Sequence, residues 1–207
     1  MADLVESLMA VPGAVAVARL EGTHLLYWRG SLDAAELGKL EPEGEVIDRD
    51  LDAVEHWVAE ASEGRFEIDA EDGWVAGRPT YALVGELATC EVLAGELPRP
   101  DFPQALREGA ARRWGETAAR ALEVAEAAAP RGDVAVCGGL LTKAVVAVAH
   151  ARLAERGEWT LTEARIVRRA GLGRTVAILA ATGDRPLDLE RSVARMRVAL
   201  GLTGTRH

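Results

Sequence analysis

The string Val134-Ala-Val-Cys-Gly-Gly-Leu-Leu-Thr-Lys143 holds the residue types closest to chemistry in this chain. Read as a short strand, a Gly138-Gly139 turn and a helix start, it would aim backbone N–H groups at an anion. Thr142 and Lys143 would then help to hold a phosphate or a nucleotide. The spacing differs from a P-loop, which needs G-x-x-x-x-G-K-S/T. The same string also reads as a tight strand-to-helix turn in which Gly138 and Gly139 permit close packing, and the residues favour this second reading. Gly171-Leu-Gly-Arg-Thr175 carries a similar glycine pair. It lies between two strand-like patterns rather than before a helix, so it reads as a hairpin turn.

Other chemistries lack their partners. Ser7, Ser31, Ser62 and Ser192 sit outside any G-x-S-x-G setting, so no nucleophile elbow is expected. Cys90 and Cys137 are too few for a disulfide framework in 207 residues and read as buried thiols, with a bridge between them left open. His24, His56, His150 and His207 show no ligand spacing with the cysteines, so no metal site is expected. The acidic run from Glu41 to Asp52 reads as a solvated loop leading into a helix whose dipole favours carboxylates at its start. No catalytic constellation emerges, and the chain reads as non-enzymatic and free of cofactors. Five tryptophans stand beside two Phe and two Tyr. Most should anchor a core, while Trp28 and Trp57 are the candidates for a partner surface, because interface hot spots favour Trp.

The elements that must position these residues follow from composition and periodicity. Hydrophobic residues make up 49% and charged residues 28%, which excludes a wholly disordered chain. Asp3 and Glu6 stand where a signal peptide needs positive charge, and the longest apolar run, Ala144 to Ala149, is far shorter than a bilayer requires. A soluble, cytoplasmic protein is the expectation. Charge is split along the chain. Up to Leu97 there are 21 acidic and 6 basic residues, net −15; from Pro98 there are 12 acidic and 18 basic, net +6. The split favours contact between unlike surfaces, within the chain or between neighbours in an oligomer. It does not favour nucleic acid, because the whole chain is acidic and its arginines are not interleaved with aromatics.

Asp3 with Glu6 has capping-box spacing, and Leu4, Val5, Leu8 and Met9 share one face of a short helix. Pro12-Gly13 ends it, and a hairpin follows, turning at Glu21-Gly22-Thr23 and ending by Gly30. After a polar stretch from Ser31 to Glu45, a helix is expected from Asp48 or Asp50 to about Ser62. Short strands are expected at 65–70, 73–77, 80–84 and 89–94. Pro98, Pro100 and Pro103 mark a linker. A helix is then expected over 103–129, a strand over 133–137 and an apolar helix from Leu140 to about Ala154. A second hairpin over 160–168 and 175–181 and a last helix from about Leu187 to Leu200 complete the pattern.

The opening segment from Leu4 to Val15, the hairpin to Gly30, and Gly73-Trp-Val-Ala-Gly77 with Thr80-Tyr-Ala-Leu-Val84 carry a resemblance. Residues 4–97 resemble a roadblock/LC7-type domain, and the later segment is similar to the central strands of a small bacterial branch of that family. The resemblance implies an α+β, roadblock/profilin-like fold, a five-stranded antiparallel sheet between helices without catalytic machinery. It also implies dimerisation, edge-to-edge joining of sheets, and docking to small GTPases or service as a scaffold. The organisation expected is a roadblock-like domain over 1–97, a Pro-rich linker over 98–103, and a second α/β unit over 104–207. That second unit is either a degenerate roadblock-like half, making an intramolecular pseudo-dimer, or a separate extension. The expected partner is therefore a protein of the small-GTPase type, with the chain itself expected as a homo-oligomer or an intramolecular pseudo-dimer, and neither nucleic acid nor a membrane is expected.

Overall fold

The computed structural model describes residues 2–40 and 45–202. The Asp3 side chain with its capping box, the breakers Pro42 and Gly44, and His207 lie outside the described residues. The chain is mixed α and β. A first part, α1 (Ala2–Met9), β1 (Ala14–Leu20), β2 (Thr23–Trp28), α2 (Ala34–Gly38), β3 (Val46–Asp50) and α3 (Leu51–Ser62), leads to two short strands, β4 (Ile68–Asp69) and β5 (Arg78–Pro79). Then come α4 (Tyr81–Thr89) and β6 (Glu91–Gly95), and after the proline segment only helices follow: α5 (Gln104–Ala128), α6 (Val134–Glu155), α7 (Ile166–Arg169), α8 (Gly173–Ala180) and α9 (Pro186–Leu200).

The hairpin forms as its sequence dictates. Glu21 and Gly22 both have positive φ, 50° and 96°, the pair of values that a two-residue turn between twisted strands demands. Leu20 then pairs with Thr23, and Ala18 with Leu25. Strand alternation sends Ala16, Ala18, Leu25 and Tyr27 to one face, where they pack with Leu51 and Val54 of α3 and with Leu87 and Cys90. Val17 and Leu26 point the other way, onto Leu4 and Leu8 of α1 and Leu37 of α2. The sheet order is β3-β2-β1-β6, with β1–β2 and β1–β6 antiparallel and β2–β3 parallel.

Several sequence expectations are corrected here. The sheet has four strands, one of them parallel, rather than five antiparallel ones. Residues 46–50 form β3 where a loop or helix start was expected; three charges in five residues hide a strand whose apolar positions are only half-buried. Within the stretch 80–84, Thr80 precedes α4 and residues 81–84 are its first turn, not a strand. Tyr81, Ala82, Val84, Gly85, Glu86 and Leu87 are buried around most of its circumference, and a short apolar run of that kind carries no period. Residues 73–77 are turns, with Gly73 and Gly77 at positive φ.

The segment 133–137 is not a strand either. The Asp133 carboxylate accepts from the Val136 N–H at 3.2 Å and caps α6, so the Val-rich run is the first helical turn. The expected second hairpin is replaced by α7 and α8, which wrap α6 with Ile166, Ala170, Thr175 and Ile178 buried. Among the described residues, 104–202 therefore contain no strand. Over its described residues the second unit is helical rather than α/β, with no sheet with which to form a roadblock-like half.

Helix α5 buries Leu106, Ala110, Trp114, Ala118, Leu122 and Ala125, a stripe stepping by three or four. Its small residues let α6 lie close along it, and Leu189, Val193, Met196 and Leu200 of α9 complete the core. By length and composition α6 could cross a membrane, at mean hydropathy 1.8, yet it is the central helix of this core. Phe66, Ala76, Tyr81 and Val84 of the first part belong to the same core. The proline segment thus joins two parts that share an interior, with Phe102 packed on Trp159 at 4.4 Å.

The two parts bring their backbones close together at two glycines. A Cβ at Gly109 of α5 would meet the Gly64 carbonyl oxygen at 2.3 Å, and one at Gly64 would meet the Ala105 carbonyl oxygen at 2.6 Å. Gly138 and Gly139 differ, since nothing lies within 4 Å of a Cβ at either. Close packing is therefore not their role. Gly109→Ala should lower stability by about 1–3 kcal/mol, because rigid backbone must move. Gly138→Ala should raise it by about 0.5–1 kcal/mol through helix propensity. Urea midpoints of the two variants read both signs.

Candidate functional site

The residues singled out for phosphate chemistry do not form a turn. Gly138, Gly139, Thr142 and Lys143 all lie within α6, and the Thr142 hydroxyl donates to the Gly138 carbonyl at 2.8 Å. The strand-to-helix geometry that would present N–H groups to an anion is absent from this stretch. Gly171 likewise ends α7, and Gly173 opens α8. Of the set, Lys143 alone reaches a surface recess.

The two tryptophans proposed for a partner surface are both half-buried. Trp28 donates from Nε1 to Asp48 at 3.1 Å, tying β2 to β3. Trp57 packs against the helical core and meets the exposed His56 ring edge-on at 5.0 Å. Both cysteines are free and buried, and burial pushes both thiols up. Among the described residues no group of three or more His, Cys, Asp or Glu is placed to hold a metal ion.

The most organised polar cluster lies where the two parts meet. His150, in the C-terminal third of α6, is fully buried between two indoles, stacked on Trp114 at 4.3 Å and on Trp74 at 6.0 Å. Trp114 donates from Nε1 to the Tyr81 hydroxyl at 3.0 Å. That hydroxyl lies 3.4 Å from His150 Nδ1, and His150 Nε2 lies 3.2 Å from Glu163 Oε1. Glu163 also accepts from the backbone N–H of Val75 and, at 3.0 Å, from that of Ala76. One proton assignment satisfies every group: Tyr81 donates to Nδ1 and neutral His150 donates from Nε2 to the carboxylate. Burial lowers the His150 pKa below its ordinary value, with Glu163 opposing that shift. Burial also raises the Tyr81 phenol.

This cluster is a pin that holds loop 73–77 against the helices, because its reactive atoms face one another rather than solvent. A second buried cluster anchors α4. Glu86 lies between two guanidiniums, receiving Arg49 Nε at 2.8 Å and Arg78 Nη2 at 2.7 Å, while Arg78 also reaches Glu71 at 3.0 Å.

Outside these pins, two recesses open side by side. One, about 400 Å³, is lined by loop 68–77 with Asp69, Glu71 and Asp72, and by Lys143. The other, about 440 Å³, runs between α5 and α6 and is lined by Arg113, Glu116, Arg120, Leu140, Val124 and Lys143. Arg113 is already engaged. It lies over the Phe66 ring at 4.8 Å and donates to the Phe66 carbonyl. Sequence reasoning missed the His150–Glu163 pair, since 13 residues separate them and no periodic pattern links them.

Comparison with protein-family models, with curated proteins and with solved structures gives no match for this chain.

The His150 shift has a defined sign. Unfolded His150 titrates near 6.5 and the folded residue below that, so the unfolded state binds more protons as pH falls. Its contribution is full above about 6.5 and is lost as pH drops toward the folded pKa. The melting temperature should fall between neutral pH and mildly acidic pH, and His150→Asn should flatten that part of the profile. Glu163→Ala should cost about 2–4 kcal/mol by stranding the buried His150 Nε2–H and the Ala76 N–H, measured by urea unfolding.

Proposed function

We propose that this chain is a non-enzymatic protein-interaction module, a roadblock-like scaffold or regulator whose partner is a small GTPase-type protein. The observation that carries the reading is the outer edge of β6. Its inner side pairs with β1, and among the described residues its outer side makes no backbone hydrogen bond. An unpaired strand edge is a template for an added strand. The order α1-β1-β2, with the last strand returning beside β1, supports the roadblock-like part of the reading. Charge supports an interaction role as well. Every ion pair among the described residues joins partners from the same side of Leu97-Pro98. The acidic first part and the basic second part therefore keep their surface charge available for other molecules.

Hydrogen exchange tests the reading with purified small GTPases of the same organism, loaded with GDP or a GTP analogue. A complex is expected in which amides of Glu91–Gly95 gain protection. Binding without protection there would overturn docking at the β6 edge, and no binding by any of them would overturn the GTPase assignment. Nucleotides alone should leave the melting temperature unchanged. A nucleotide-dependent rise that Lys143→Ala abolishes would favour a phosphate ligand instead.

A further inference from the structure

We infer that the surface formed by loop 68–77 and the α5–α6 groove is a two-fold interface with a second copy of this chain. The two recesses share Lys143, so they form one continuous face. Its two ends are opposite in charge. On the acidic end, Asp69 and Asp72 are exposed and make no ion pair among the described residues; Glu71 is taken by Arg78. On the cationic end, Arg120 and Lys143 likewise make none, with Glu116 the one carboxylate among them. Lys143 even shares the acidic recess with Asp69 and Asp72 yet stays beyond ion-pair distance of both.

A two-fold axis through such a face sets each acidic end against the partner's cationic end, so every contact occurs twice. That is the symmetry most homodimers adopt. The apolar component coincides with it. Val75, 53% exposed, lies in the acidic recess, and Val124, 48% exposed, lies in the cationic one beside Leu140. Exposed ion pairs alone contribute little. Pairs that flank valines excluded from water define orientation and add to the burial. Loop 68–77 is suited to the role because Glu163 fixes its backbone at Val75 and Ala76 and Arg78 holds its Glu71 side chain before any partner arrives, which lowers the ordering cost of association. This face is separate from the β6 edge, and the inference does not depend on the GTPase reading.

Sedimentation equilibrium of the full chain tests it with charge-reversal variants, each checked for an unchanged circular dichroism spectrum. The intact chain should dimerise, more tightly at low salt. Lys143→Glu and Asp72→Arg should each weaken the dimer by about tenfold or more, and the double variant should restore it. Arg120→Glu with Asp69→Arg supplies a second, independent swap should the first pair disturb folding. A chain that stays monomeric at every concentration would overturn the inference. So would a dimer indifferent to both single reversals, or single losses that neither double variant repairs. Association that requires added phosphate or sulfate would also overturn it, in favour of an anion held by the same cations.

Discussion

The imidazole of His150, sealed between Trp114 and Trp74, is the interaction on which the arrangement of the two parts depends. A neutral ring in that slot can satisfy both nitrogens at once, toward Tyr81 and toward Glu163. Glu163 in turn holds two backbone amides of the loop that precedes α4. One chain of hydrogen bonds thus runs from α5 through α4 and α6 to loop 73–77. Because burial penalises an unpaired member heavily, such a network tolerates little rearrangement. It supplies the direction that the surrounding Ala-rich packing cannot. A stripe of alanines lets helices approach, but it permits sliding along the axis.

Around that pin the two parts join through apolar contact rather than complementary charge. Phe66, Ala76, Tyr81 and Val84 enter the helical core, and Gly64 and Gly109 bring two backbones together. Among the described residues the ion pairs stay within each part, as with Arg29 to Asp52 and Glu55, or Arg197 to Glu126 at 2.9 Å. Of the two contacts that the charge split favours, the one within the chain is therefore replaced by a shared hydrophobic interior, while the one between neighbours in an oligomer is untouched.

What the sequence made legible is what local chemistry decides. The Glu21-Gly22 turn, the strands beside it, α3, β6, α5 and α9 all follow from turn residues, proline placement and helical spacing. The misreadings cluster where apolar residues are too dense to show a period. Val134-Ala-Val-Cys137, Tyr81-Ala-Leu-Val84 and Thr175-Val-Ala-Ile178 are rich in residues with strand propensity, yet each is helical because tertiary burial decides. Gly138 and Gly139 suggested a turn, but Asp133 had already capped the helix five residues before Gly138. The site was less legible than the fold. His150 pairs with Glu163 and stacks on Trp74 and Trp114, and only the Trp-rich composition hinted at such a centre.

The confinement of ion pairs to their own parts has an evolutionary consequence. Since Arg120, Lys143, Asp69 and Asp72 make no ion pair among the described residues, their charges can drift without loosening the interior. Under the proposed interaction role, partner choice and structural integrity would be carried by different residues. A lineage could exchange one binding companion for another by surface substitutions alone, while the indole–imidazole stack and the paired glycines keep the architecture fixed.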